Sequence, residues 1–452
     1  MMTMRKLMYA FTILSAGAIA LTGCGSSTST GSTGNTDNSN PQSGKAVQQQ
    51  PDTQKPAELS IYLNSSNKQE FDELLAPLIK EKFPNYTLTG IESSSKMGDL
   101  VASGNVPDII IGTKGTIPNT ILEFGLDQDL SELIKTSKFD LSRIEPTYLD
   151  TMKYYTSGKI IGLPLNAPVF ALHYNKTLFD KFGVAYPKDG MTWDDAYEIA
   201  KKLTRNEGGI QYRGYSERWH QMFMEFNQFS LPYLDAKEDK AAVNTDQWKT
   251  LIEGFVRFYK LPGLSFDSKT GYTEEDLKVF ATGTSGMQIF AQPEKFTTFE
   301  WDIVSVPTFK EKPNGALWGS PRFMFITNAS KNKEAAINVA AYMTSDEVQA
   351  KLNRKGLAPV LAKITPEMKQ TFNQDSTFYK GKNTAAFLYN KPAAEPPARA
   401  PGLVNFTKAQ GILIAEVQKM FTEGLQVDVN TALRTAEELI NKGIAEQKAS
   451  KK

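Results

Sequence analysis

The sequence predicts an α/β protein, a parallel sheet covered by helices. Three observations carry this. Short apolar or β-branched runs alternate with segments whose apolar residues recur every three to four positions. The strand-like runs "LSIYLN" (59–64), "YTLTGI" (86–91) and "PDIIIGT" (107–113) are each separated by a helix-like segment, an order that favours parallel strands with helical crossovers. The composition, 40% apolar and 22% charged over 452 residues, is that of an average folded protein, long enough for one large two-lobed domain or two to three ordinary ones.

The chain opens outside this pattern. "MMTMRK" carries Arg5 and Lys6, and Leu7–Ala20 then runs apolar for 14 residues, the length of a signal-peptide core and too short to span a bilayer. Leu21-Thr22-Gly23-Cys24 follows and resembles a bacterial lipobox, in which the thiol becomes a diacylglyceryl thioether and cleavage frees a new N-terminus. Residues 1–23 are therefore expected to be a lipoprotein signal peptide and Cys24 the lipid attachment point. Two or three acyl chains would hold the protein stably where one would be marginal. Residues 24–56 hold one Val, one Ala and no aromatic residue. Such a stretch cannot bury enough surface to offset its ordering entropy, so it reads as a disordered polar tether with a reach of roughly 30 Å.

The totals exclude several classes. With 51 basic and 50 acidic residues and no basic stripe, a nucleic-acid partner is not expected. Losing Arg5 and Lys6 would leave 49 basic against 50 acidic residues, so no polybasic patch supplements the lipid. One Cys precludes an internal disulfide, and one Cys with two His is too few for a zinc or iron–sulfur centre. No cofactor is expected, and a carboxylate-only calcium site stays open.

Along the folded part, "KQEFDELLAPLIKEKFP" places Phe71, Leu74, Leu75, Leu78 and Ile79 on one helix face and stops at Pro84. "KMGDLVAS" is the next helix. Ligands of such sheets sit at the carboxyl ends of the strands. Here those ends are Asn64-Ser65-Ser66 and Gly112-Thr113, small and polar, though single residues of this kind also serve as ordinary turns. Thr192 and Asp195 form a capping box for "TWDDAYEIAKKLT". Trp193, Trp248 and Trp301 are expected in the core. "AEPPARAP" (394–401) is a rigid connector, and the C-terminal "VNTALRTAEELINKGIAEQ" is a further helix.

Residues 158–204 carry Gly158-Lys159, Gly162-Leu163-Pro164, Tyr174-Asn175-Lys176, Leu178-Phe179 and Thr192-Trp193-Asp194-Asp195. This series resembles a hallmark of the family 1 extracellular solute-binding proteins, the maltose-binding-protein class of ABC-importer receptors. It departs at Ile161 and His173, where the family more often has aromatics. "GNVPDIII" and "SKNKEAAINVAAYMTSDEVQAKLNRKGLAPV" resemble two further stretches of that family.

The resemblance implies a two-lobed periplasmic-binding-protein-like fold of type II, each lobe a sheet flanked by helices with a hinge between. Lobe 1 would be 57–166 and 310–363, lobe 2 167–309 and 364–452, with crossovers near Pro164–Val169 and Val306–Lys310. It implies a monomeric, non-enzymatic, lipid-anchored receptor on the extracellular face of the cell membrane. The receptor would close on a small solute, a sugar or oligosaccharide, and hand it to ABC permease subunits. The implied cleft holds Asn64, Ser65, Ser66, Gly112, Thr113, Asn166, Arg322 and the loop Trp318-Gly319-Ser320. Trp219 stands where the family often places a cleft aromatic, so Trp219 and Trp318 are candidates for stacking on a sugar face. A core role for either stays open. A segment ending Gly-x-Trp in the family has Ala291 and Pro293 here, so one common stacking Trp is missing.

Other readings remain. A peptide or acidic-sugar receptor would use Arg322 or Arg399 for a carboxylate. An iron receptor would need clustered tyrosines, and the pair Tyr154-Tyr155 reads instead as structural. Ser65-Ser66-Asn67-Lys68, Ser103-Gly104-Asn105 and Lys269-Thr270-Gly271 match, in order, the short motifs of penicillin-binding serine enzymes. A purely structural lipoprotein predicts neither closure nor a tight small ligand.

Overall fold

The strands, in chain order, are β1 (Ala57–Leu63), β2 (Tyr86–Glu92), β3 (Ile109–Gly112), β4 (Gly162–Asn166), β5 (Ala171–Asn175), β6 (Arg205–Glu207), β7 (Ile210–Tyr212), β8 (Met287–Phe290), β9 (Trp301–Ser305) and β10 (Arg322–Ile326). They come from a computed structural model that describes residues 55–216, 227–261, 279–291, 298–313, 315, 317, 321–400, 402–422 and 427–450. The signal segment with Cys24, nearly all of the tether, Trp219 and Trp318-Gly319-Ser320 lie outside the described residues.

The first sheet has the order β2-β1-β3-β10-β4. β1 runs parallel to both β2 and β3, as the alternation of strand and helix requires. β10 then inserts between β3 and β4, antiparallel to both, so the sheet is mixed. The second sheet, β8-β5-β9, is antiparallel throughout. It departs from the parallel sheet expected from sequence, and its strands arrive singly from distant parts of the chain.

Each sheet has its own core. Ile61, Ile110, Leu163 and Phe325 lie in one cluster with residues of the helices Ala76–Lys82 and Lys333–Met343. On β5, Leu172 and Tyr174 join a large cluster with Trp193, Trp248, Leu413 and Ile440, while Ala171 joins Trp301, Phe372 and Phe387 on the opposite face. That split follows from the two-residue period of a strand.

Trp193 opens the helix Trp193–Leu203, whose capping box pairs Thr192 with Asp195. The side chain is 1% exposed, and its indole N–H donates to Gln228 Oε1 at 2.9 Å. Trp248 is fully buried in the helix Asp246–Tyr259, and Trp301 is 5% exposed. All three tryptophans are core residues, as the patterning predicts. The last helix is Val429–Ala449. No described helix is long and apolar enough to cross a membrane.

Three passages join the sheets. Residues 167–170 link β4 to β5, and 306–321 link β9 to β10. A third, around Ala358, pairs with the first: Ala167 N donates to Ala358 O at 3.1 Å.

Candidate functional site

The carboxyl ends of β1 and β3 lie side by side, tied by Ser65 N donating to Ile111 O at 3.0 Å. Each exit runs into a π-helical turn, Phe71–Leu75 after β1 and Ile117–Leu122 after β3. Such turns are rare in proteins and recur at functional sites. Thr116 Oγ1 links the two exits, donating to Asn64 Oδ1 at 2.5 Å and accepting from Thr113 N at 3.1 Å. Gly112 is dictated by this packing: a Cβ there would lie 2.4 Å from Thr116 Oγ1.

Beside this junction Arg322, the first residue of β10, makes a fork onto Glu70. Its Nη1 and Nη2 donate to the two carboxylate oxygens at 2.8 and 2.7 Å. Nε donates to Asn166 Oδ1 at 2.8 Å, and Nη1 also reaches Ser65 O at 3.3 Å. Ser66 Oγ adds a third donor to Glu70 at 2.7 Å. Burial pushes the Glu70 carboxyl up, but the Arg322 hydrogen bonds and charge, with Ser66, outweigh it and hold the group below its ordinary value. The structure therefore brings Asn64, Ser65, Ser66, Gly112, Thr113, Asn166 and Arg322 to one edge of the first sheet. It corrects one role: Arg322 is spent on Glu70 and is not open to a ligand carboxylate. Arg399 is likewise committed, donating to Asp235 O, Val404 O, Glu238 O and Asp239 Oδ1.

A cavity of about 120 Å³ opens next to Thr113. Its walls come from both sides of the fold. Lys114 follows β3, and Tyr154 and Tyr155 end the helix Pro146–Tyr155, with Tyr155 packed on the first core. Asn227, Ser230 and Tyr233 face them, Tyr233 packing on the second core. The connector contributes Glu395. The Tyr154-Tyr155 pair, read from sequence as structural, is half-buried and lines this cavity, its rings edge-to-face at 4.9 Å. Glu395 Oε1 is buried without a hydrogen-bond partner among the described residues. Burial raises its carboxyl above the ordinary range against the pull of Lys114 and Thr151. A buried acceptor left unpaired next to a cavity calls for a donor from outside the chain. Sequence reading missed Glu395, whose one local signal is an acidic residue in a Pro/Ala run.

Two of the three serine-enzyme motifs fall among the described residues, and their side chains bond locally. Lys68 Nζ pairs with Asp72 at 2.5 Å, and Ser103 Oγ donates to Asp99 O and Leu100 O behind its own helix. Lys269-Thr270-Gly271 lies outside the described residues. Among the described residues no cluster of three or more His, Cys, Asp or Glu could hold a metal ion.

Residues 64–350 match the family model described as bacterial extracellular solute-binding protein. That match spans well over half the chain. The chain belongs to this family. Among curated relatives, the sn-glycerol-3-phosphate-binding periplasmic protein UgpB of Rhizobium meliloti is 23% identical over 331 residues, covering 68% of this chain and 73% of that one. A putative binding protein of Brucella abortus is 26% identical over 280 residues, 58% of this chain and 64% of its own length. Among solved structures, the ABC substrate-binding protein Lmo0181 of Listeria monocytogenes in complex with cycloalternan superimposes with a TM-score of 0.62 at 22% identity, over 86% of this chain and 100% of that one. A sugar transporter protein of Rhizobium etli in an open conformation gives 0.64 at 20% identity, over 86% and 99%. The fold is thus the two-lobed one of periplasmic binding proteins, and the family binds extracellular solutes.

Proposed function

We propose that this protein is the lipid-anchored receptor of an ABC importer, and that it closes its two lobes on a neutral sugar or oligosaccharide. The lobes would be 57–166 with 310–363 and 167–309 with 364–452, with Cys24 as the anchor on the outer face of the cell membrane and a membrane permease as the partner. The observation that carries the choice of ligand is Glu395 Oε1, buried beside Tyr154, Tyr155 and Tyr233 with no partner among the described residues. A sugar supplies what that site lacks: hydroxyl donors for the carboxylate and C–H faces for aromatic rings. Two of the solved neighbours hold ligands of this class, cycloalternan in one and D-mannitol in another, whereas the curated relative UgpB binds sn-glycerol-3-phosphate. An acidic sugar or glycerol phosphate fits less well, because Arg322 and Arg399 are already paired. Ligand binding drives closure only through its greater affinity for the closed state.

Thermal unfolding against a panel of neutral oligosaccharides, polyols, uronates and sugar phosphates tests this reading. A neutral sugar at about 100 times its Kd should add about 2.7 kcal/mol of stability. Glu395→Gln should reduce that shift. A shift given only by the anionic members would sink the neutral-sugar assignment. For the anchor, Cys24→Ser should release the protein from the membrane fraction into the medium, and retention at the membrane would count against it.

A further inference from the structure

A second cavity, about 330 Å³, lies where the three passages between the sheets meet. It shares no lining residue with the Glu395 cavity and touches neither strand exit. Its walls draw on three separate cores: Tyr148 packs with Ile144 and Val360, Phe387 with Trp301, and Leu317 with Phe255. Val169, Phe170, Val306 and Leu361 add apolar side chains to the lining.

Among the described residues, two polar atoms in this chamber have no hydrogen-bond partner. Tyr148 is 5% exposed, and its hydroxyl has no hydrogen bond among the described residues. Asn390 donates from Nδ2 to Val306 O at 2.8 Å, which fixes the orientation of the amide and leaves Oδ1 buried without a donor. The hydroxyl can donate or accept, and the amide oxygen can only accept. At the mouth, Lys363, Lys369 and Lys391 have no ion-pair partner among the described residues. Among the described lining residues the one carboxylate is Glu145, which accepts from Thr147 Oγ1 at 3.0 Å. The rim thus carries three cations against one anion.

The geometry points to a second small-molecule site, distinct from the solute cleft, for a compact aromatic acid that also carries a hydroxyl. The ring would fill the chamber, the carboxylate would take the Tyr148 hydroxyl and the lysine field, and the hydroxyl would donate to Asn390 Oδ1. The volume sits at the lower end of the range for small-molecule pockets, about 300–1,000 Å³, which suits one or two fused rings. The assignment stands apart from the solute reading, since its ligand is titrated with no sugar present.

Calorimetric titration of the purified full chain with 6-hydroxy-2-naphthoate tests it. One molecule per chain is expected, with 2-naphthoate about fivefold weaker and the neutral 6-hydroxy-2-naphthamide about tenfold weaker, each having lost one matched polar contact. Tyr148→Phe keeps the ring and should weaken the acid about fivefold. Ala362→Trp starts from an exposed lining position, leaves the core untouched and should block entry. Absence of binding would overturn the proposal. So would an amide that binds as tightly as the acid, or an affinity unchanged by Ala362→Trp in a variant that unfolds at the parent's temperature.

Discussion

Arg322→Leu is expected to lower the free energy of unfolding by about 3 kcal/mol, because it leaves a mostly buried carboxylate without its counter-charge. Arg322 is 13% exposed in its side chain and Glu70 23%, so water replaces little of what is lost. The same change strips Asn166 Oδ1 and Ser65 O of their donor, loosening the ends of β1 and β4 where the proposed cleft begins. Glu70→Leu combined with Arg322→Leu should recover most of the loss, since apolar pairs of similar volume replace buried ion pairs at little cost. The pH dependence has a definite sign. Glu70 titrates below its unfolded value, so its contribution is present above that value and is lost as pH falls through the lowered folded one. Without Arg322, burial governs the group and pushes it up, so the deficit should be largest near neutrality and shrink toward pH 4. Denaturant midpoints of the three proteins at pH 7 and pH 4 measure this. A single variant as stable as the parent at pH 7, or a double variant no more stable than the single, would defeat the account.

The pairing of Arg322 with Glu70 shows what a linear reading can and cannot reach. β1, β2 and β3, the capping box at Thr192 and the three buried tryptophans were legible because each is encoded within a few residues: a period, a cap, a stop. The strand exits at Asn64 and Gly112 were legible for the same reason, since parallel strands must place their carboxyl ends together. The role of Arg322 was not, because its carboxylate partner stands 252 positions earlier on the turn after β1. Glu395 was hidden in a different way. A proline-rich connector gives no sign of which way one side chain turns, and the walls that bury Glu395 come from residues near 114, 154 and 233. The antiparallel β10 was also out of reach, as its place between β3 and β4 depends on the chain returning from the other sheet.

His173 departs from the family pattern in sequence, and the structure gives the reason it is tolerated. The ring acts as one more aromatic in a cluster, stacked on Trp301 at 5.6 Å and edge-on to Phe290 at 5.2 Å, with Tyr379 and Phe387 close by. It is fully buried, with Nδ1 3.1 Å from Ala171 O and Nε2 3.3 Å from the Tyr379 hydroxyl. The neutral imidazole is the form this cluster accepts. Burial pushes its pKa down to about 3, and the Ala171 contact opposes this only in part. Between the unfolded value of about 6.5 and that folded value, the unfolded chain binds a proton that the folded chain refuses. Stability therefore falls as pH drops, by about 1.4 kcal/mol per pH unit in this window, or about 2.7 kcal/mol by pH 4.5. His173→Phe keeps the ring packing and removes the titration. It also strands the Tyr379 hydroxyl, so it should cost about 1–2 kcal/mol at pH 7. The two proteins should then cross near pH 5–6, with the variant the more stable below. Every other titratable group is common to both proteins, so the difference between the two stability–pH curves isolates His173. Parallel curves from pH 7 to pH 4.5 would show that the buried imidazole does not set the acid limit of this fold. A crossing would assign that limit to one ring on the first strand after the passage between the sheets.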